Sequence, residues 1–150
     1  MKLFVSAAAA VALAFAPISG AAAAPLKKAE IAAALQSQGY AVADFAADKL
    51  VVTVAEFSVV VWIDGADGDI SYITPIPALT INQVSHEFLS KFNSEVKFGR
   101  AYVDRDGDIT LQMDRNSAGG VSLQNVQSDF DVFLLLLSKF LSDLESRASA

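Results

Sequence analysis

The sequence has 150 residues, 11 of them lysine or arginine against 17 aspartate or glutamate, for a net charge of −6, and it contains no cysteine. Without cysteine there are no disulfides, zinc–thiolate sites or thiol nucleophiles. The acidic balance argues against a nucleic-acid binder, which needs a basic stripe to displace counterions, and against electrostatic docking on anionic lipid.

The chain opens on Lys2 and an apolar run from Leu3 to Phe15, is broken at Pro17, Ser19 and Gly20, and then carries four alanines, Ala21 to Ala24. That basic, apolar, small-residue order is the pattern of a secretory signal peptide. The apolar run is shorter than the roughly 20 residues of a membrane span. Residues 1–23 are therefore expected to be removed, with the cut after Ala22 or Ala23. This leaves one domain, residues 24–150, in the periplasm or outside the cell, with no membrane span. Loss of Lys2 leaves 10 basic and 17 acidic residues, net −7. The remaining length suits a single core.

Pro25 suits the first turn of a helix, Ile31, Ala34 and Leu35 share one face of it, and Gly39 ends it. Two valine-rich strands follow, Leu50 to Ala55 and Ser58 to Ile63. The turn Asp64–Asp69 leads into a third strand, Ile70 to Thr74, which Pro75 and Pro77 are expected to stop. Thr80 and Gln83 form a capping box. The helix they open carries Ile81, Val84, Phe88, Leu89 and Phe92 on one stripe. Lys97 to Asp104 and Asp108 to Met113 are strands joined at Asp106-Gly107, a hairpin signal. Ser122 caps a final helix that runs to about Ser146. The expected fold is α+β, a mostly antiparallel five-stranded sheet with helices on one face, in the order α-β-β-β-α-β-β-α.

The acidic clusters read as turns. A calcium loop beginning at Asp104 needs glycine at its sixth position and glutamate at its twelfth, where this chain has Ile109 and Arg115. Asp104, Asp106 and Asp108 therefore belong to the hairpin, and Asp64, Asp67 and Asp69 to a second acidic turn. His86, the single histidine, stands beside Glu87 on a helix without a serine elbow or an oriented acid. Gly119-Gly120 lacks the lysine of a phosphate loop and reads as a tight turn before the Ser122 cap.

The last helix is the most informative element. Leu123, Val126, Phe130, Phe133, Leu137, Phe140 and Leu144 form one apolar stripe, widened by Leu134 and Leu141. Val132, Leu135 and Leu136 fall on other faces. From Phe130 to Leu137 only Asp131 is polar, so the helix is expected to be covered on more than one side. Val132, Leu135 and Leu136 are the candidate protein interface.

Phe92-Asn93, Lys97-Phe-Gly-Arg-Ala-Tyr102, Asp106-Gly-Asp-Ile-Thr-Leu-Gln-Met-Asp114 and Gly119-Gly-Val121 together resemble the YbjN domain family. Phe92 stands where that family usually has tryptophan, and Ser122 where it usually has threonine. The resemblance implies a YbjN-like domain over residues 24–150, similar to the chaperones of type III secretion systems, which dimerise and hold partner polypeptides. It brings no catalytic residues.

The function expected from residues and resemblance together is a non-enzymatic, exported protein-binding, adaptor or chaperone-like domain, with a sensory or regulatory role. Its partners are expected to be a protein and a second copy of itself, with no cofactor, catalytic residue or bound metal. The alternative is a small carboxylate-dependent hydrolase or a weak divalent-cation-binding envelope protein using Asp104, Asp106 and Glu87.

Overall fold

The computed structural model describes residues 24–148. The proposed signal segment, 1–23, lies outside the described residues, as do Ser149 and Ala150. The chain forms α1 (Lys28–Ser37), β1 (Ala41–Ala46), β2 (Lys49–Val54), β3 (Phe57–Asp64), β4 (Asp69–Thr80), α2 (Ile81–Val84), α3 (His86–Glu95), β5 (Gly99–Val103), β6 (Asp108–Arg115) and α4 (Leu123–Ala148). The strands make one sheet in the order β1-β2-β3-β4-β6-β5, and every neighbouring pair is antiparallel.

The sheet has six strands, not the five expected. The additional one, β1, reads AVADFA and is exposed at five of its six positions. It lacks the apolar alternation by which a half-buried strand announces itself. β4 also runs on through Pro75 and Pro77 instead of stopping before them. Pro75 lies opposite Thr110 of β6, whereas the pairing with β3 runs from Asp69 only as far as Ile73. A proline without an N–H to donate is tolerated where the ladder on one side has ended.

The helix opened by Thr80 breaks after one turn. Ser85 takes φ +72° and restarts the chain as α3, its hydroxyl accepting the Phe88 N–H at 3.3 Å. The final helix begins where expected: Ser122 Oγ accepts the Asn125 N–H at 3.1 Å, and Asn125 Oδ1 accepts the Ser122 hydroxyl at 2.7 Å. This reciprocal bonding satisfies N–H groups that a helix start leaves unpaired.

Strand alternation puts Leu50, Val52, Val59, Val61, Tyr72 and Leu111 on one face of the sheet, all buried. Onto them α4 lays Val126, Phe130, Phe133, Leu137 and Phe140, also buried. The Tyr72 ring lies 6.0 Å from both Phe130 and Phe133, and its hydroxyl donates to the Val126 carbonyl at 3.2 Å. Phe140 takes edge contacts from Phe88 at 5.5 Å and Phe92 at 5.1 Å, which ties α3 to the same core. Each such ring contributes about 1.5–3 kcal/mol by leaving water.

Candidate protein-binding surfaces

Of the three candidate interface residues on α4, the chain keeps one for itself. Leu136 is buried, and a Cβ placed on Gly99 would stand 2.6 Å from its Cδ1. The side chain thus sits directly on the glycine that starts β5. Leu135 is 70% exposed, and Val132 is half-buried at the edge of the core. Phe98, which the sequence did not single out, is 76% exposed. Its φ is +68°, a region that bulky residues rarely occupy. Phe98 and Val132 share a groove of about 370 Å³ with Met113, Arg115 and Asp129.

Arg115 and Asp129 meet in that groove as a two-pronged ion pair, with Arg115 Nη2 donating to Asp129 Oδ1 at 2.6 Å. The hydrogen bond it donates to Asp129 holds the guanidinium above its ordinary pKa, and the fork geometry fixes β6 against α4. Burial pushes the neighbouring Tyr72 hydroxyl far above its usual value, and the charge of Asp129 adds to the shift. Tyr72 therefore serves as a hydrogen-bond donor.

The opposite face of the sheet carries no residue of the aromatic core. One registered row crosses all six strands: Ala43, Val51, Val60, Ile73, Gln112 and Arg100. Val51, Val60 and Ile73 are half-buried, as is Trp62 in the adjoining row. The Trp62 indole donates to Asp48 Oδ2 at 2.7 Å, and the Lys49 ammonium lies 4.6 Å from its ring centre. That indole hydrogen bond leads the effects holding Asp48 below the usual carboxylate range. Asp64 and Asp69 stand directly opposite each other across β3 and β4, a like-charge pairing that a sheet disfavours.

The residues of an enzymatic reading are not assembled. Asp104 Oδ1 accepts the N–H groups of Asp106 and Asp108, both at 3.0 Å, and Oδ2 accepts the Thr110 hydroxyl at 2.9 Å. It is the organiser of the hairpin turn. Glu87 lies in a separate groove of about 430 Å³ between α3 and α4, with Lys91, Glu95, Asp143 and Arg147. His86 is an exposed first residue of α3. Gly119 and Gly120 take φ +86° and +103° in the turn before α4. Among the described residues, no group of three or more histidine or carboxylate side chains could hold a metal ion. Among the same residues, no helix is long and apolar enough to cross a membrane.

Asn93 is the most telling residue of the Phe92-Asn93 motif. Its Nδ2 donates to the Ala101 carbonyl at 3.0 Å, and its Oδ1 accepts the Ala101 N–H at 2.8 Å. The side-chain amide thus pairs with β5 as a neighbouring strand would. The motif that gave the resemblance closes a sheet edge.

These features define an α+β domain built on one antiparallel sheet. The chain belongs to the YbjN family: residues 27–146 match the family profile, whose description reads "Putative bacterial sensory transduction regulator". The crystal structure of YbjN from E. coli, described as "a putative transcription regulator", has a similar fold, with a TM-score of 0.58. It shares 14% identity, and the match covers 78% of this chain and 88% of that one. At that identity the likeness concerns the fold alone. No curated protein matches the chain.

Proposed function

We propose that the mature chain is an exported, non-enzymatic protein-binding adaptor of chaperone-like character, acting as a homodimer through α4. The observation that carries this reading is a pair of large apolar side chains held in water, Leu135 at 70% and Phe98 at 76% exposure. Val132, on the same helix as Leu135, shares a groove with Phe98. The family's description as a regulator, which names no reaction, supports a binding role. So does the resemblance to type III secretion chaperones. Lys2, the apolar run and the alanine cluster support export.

Burying Phe98 and Leu135 in both subunits would yield about 1.5–3 kcal/mol for each residue, and the half-buried Val132 less. That gain is comparable with the association cost of about 4–15 kcal/mol. A two-fold axis makes each contact count twice. The test is light scattering together with circular dichroism on the wild type and on Phe98→Asp/Leu135→Asp. Leu136 is left untouched because it belongs to the core. The expected result is a dimeric wild type and a folded, monomeric variant. A monomeric wild type would remove the dimer. N-terminal sequencing of the protein from its host should begin at Ala23 or Ala24, and a mature pool retaining Met1 would remove the export.

A further inference from the structure

We propose that the core-free face of the sheet docks a basic amphipathic helix of a partner protein. This surface adjoins the α4 contact only at Asp114, Arg115 and Asn116, which line both grooves, and it does not depend on that contact. Its centre is the registered row Ala43, Val51, Val60 and Ile73, joined on one side by the half-buried Trp62. Four strands at about 4.8 Å spacing make this band about as wide as a ten-residue helix is long, at 1.5 Å per residue. An apolar helix stripe laid across it covers side chains that the chain's own aromatic core does not reach.

Charge selects the partner. The Trp62 side of the band is bordered by Asp48, Asp64, Asp69 and Asp114. Asp114 is answered by Arg100 at 2.8 Å and Asp48 by Lys49 at 3.4 Å. Among the described residues Asp64 and Asp69 form no ion pair: Asp64 accepts the Gly65 N–H and Asp69 the Ser117 N–H, both at 2.7 Å, and Arg115, which lines the same groove, is held by Asp129. They face each other across β3 and β4, and a groove of about 340 Å³ opens beside them, floored by Trp62 and Ser71. A lysine or arginine flanking the apolar stripe of an incoming helix relieves this like-charge pair. An acidic helix worsens it. The net charge of the chain points the same way over longer distances.

Trp62 is the only tryptophan in the sequence, so the site carries its own probe. The experiment titrates the natively processed protein with a synthetic leucine–lysine amphipathic helix and with its leucine–glutamate twin, following Trp62 emission. The lysine peptide should shift the emission to the blue in a saturable way, with affinity that falls as salt rises. The glutamate twin should leave it unchanged. Asp64→Asn/Asp69→Asn should weaken the lysine peptide roughly tenfold and flatten the salt dependence. Ile73→Lys should abolish the response, with folding checked by circular dichroism. If Ile73→Lys unfolds, the aspartate variant still decides. Phe98→Asp/Leu135→Asp should bind as the wild type does. Loss of binding in that variant would place the peptide on α4 and overturn the proposal. An equal response to both peptides, or none to either, would overturn it as well. A shift that grows with protein concentration alone would give the face to a second copy and also overturn it.

Discussion

The two edges of the sheet, β5 and β1, meet the same hazard with different means. An edge strand offers unpaired N–H and C=O groups to any passing chain. At β5 the hazard is covered by packing: α3 lies alongside, and Asn93 occupies both backbone groups of Ala101. At β1 no side-chain amide plays that part. A bulge interrupts its pairing between Asp44 and Ala46, and Lys28 answers the Asp44 carboxylate and the Ala46 carbonyl, each at 2.8 Å. One edge is closed by shape and hydrogen bonds, the other by irregularity and charge. An edge capped by a side-chain amide is sealed outright, whereas an edge without one must be made a poor template.

If this contrast is right, side-chain volume matters on β5 and hardly at all on β1. Gly99→Val is expected to have the largest effect. Its Cβ would stand 2.6 Å from Leu136 Cδ1 and 3.2 Å from the Gln112 carbonyl oxygen, the second of which is backbone and cannot swing aside. Overpacking of this kind costs about 1–3 kcal/mol. Ala43→Val on exposed β1 should change stability by no more than about 0.5 kcal/mol, and strand propensity favours valine. Urea midpoints of the two variants, measured side by side, check both. Equal losses would mean that β1 is packed after all.

Asn93→Ala comes next. It leaves the N–H and C=O of Ala101 without the amide, at a residue that is 2% exposed. Unpaired buried backbone groups cost about 1–3 kcal/mol. The variant should also expose a pairing edge, so a rise in aggregation on sedimentation is expected beside the drop in midpoint. Asn93→Asp restores only the acceptor for the Ala101 N–H and should fall between the two. A variant as stable and soluble as the wild type would show that the edge needs no seal.

These edges also show what the sequence could and could not say. The strands β2, β3 and β6 were legible because valine, isoleucine and leucine alternate over a buried face, and the β5–β6 hairpin because Asp106-Gly107 demands a particular turn. Leu123–Ala148 was legible from its stripe of large apolar residues. β1 was hidden because its small, exposed side chains carry no period. The continuation of β4 was hidden because Pro75 reads as a stop unless it is known where the pairing with β3 ends. On α4, Leu135 and Leu136 are adjacent and chemically identical in the sequence. Only the position of Gly99 decides that one is core and the other surface. Phe98 gave no signal at all, since its exposure follows from a left-handed φ that nothing in the residue type suggests.

A smaller effect should appear with pH at the far end of β5. Burial pushes the Asp104 carboxyl up, but the hydrogen bonds from Thr110 and from the N–H groups of Asp108, Asp106 and Gly107 outweigh it and hold the pKa below the ordinary value. A depressed carboxyl contributes stability that is fully present above its unfolded pKa, about 3.9, and lost as pH falls through the lower folded value. The urea midpoint should therefore fall from about pH 4 downward, and Asp104→Asn should flatten that part of the profile. Thr110→Val, which removes one donor, should flatten it in part. An unchanged profile in Asp104→Asn would detach the acid sensitivity from this turn.

The smallest change in stability is expected at Phe45, where the open edge can be tested without disturbing the core. Phe45 is 65% exposed and lies where the pairing of β1 slips between Asp44 and Ala46. An aromatic ring in that position has little to lose by leaving, because it buries little area to begin with. Phe45→Lys should shift the urea midpoint by no more than about 0.5 kcal/mol. Its effect should appear in association instead. A lysine on an edge strand opposes pairing with another chain, so the variant should stay soluble at concentrations where the wild type begins to sediment. The pair of measurements separates two properties that coincide on β5: there, sealing the edge and stabilising the fold are done by the same side chain. A loss of more than about 1 kcal/mol on Phe45→Lys would mean that the ring is packed and that β1 is closed by shape, as β5 is. A variant with unchanged stability and improved solubility would establish β1 as the edge guarded by charge and irregularity alone.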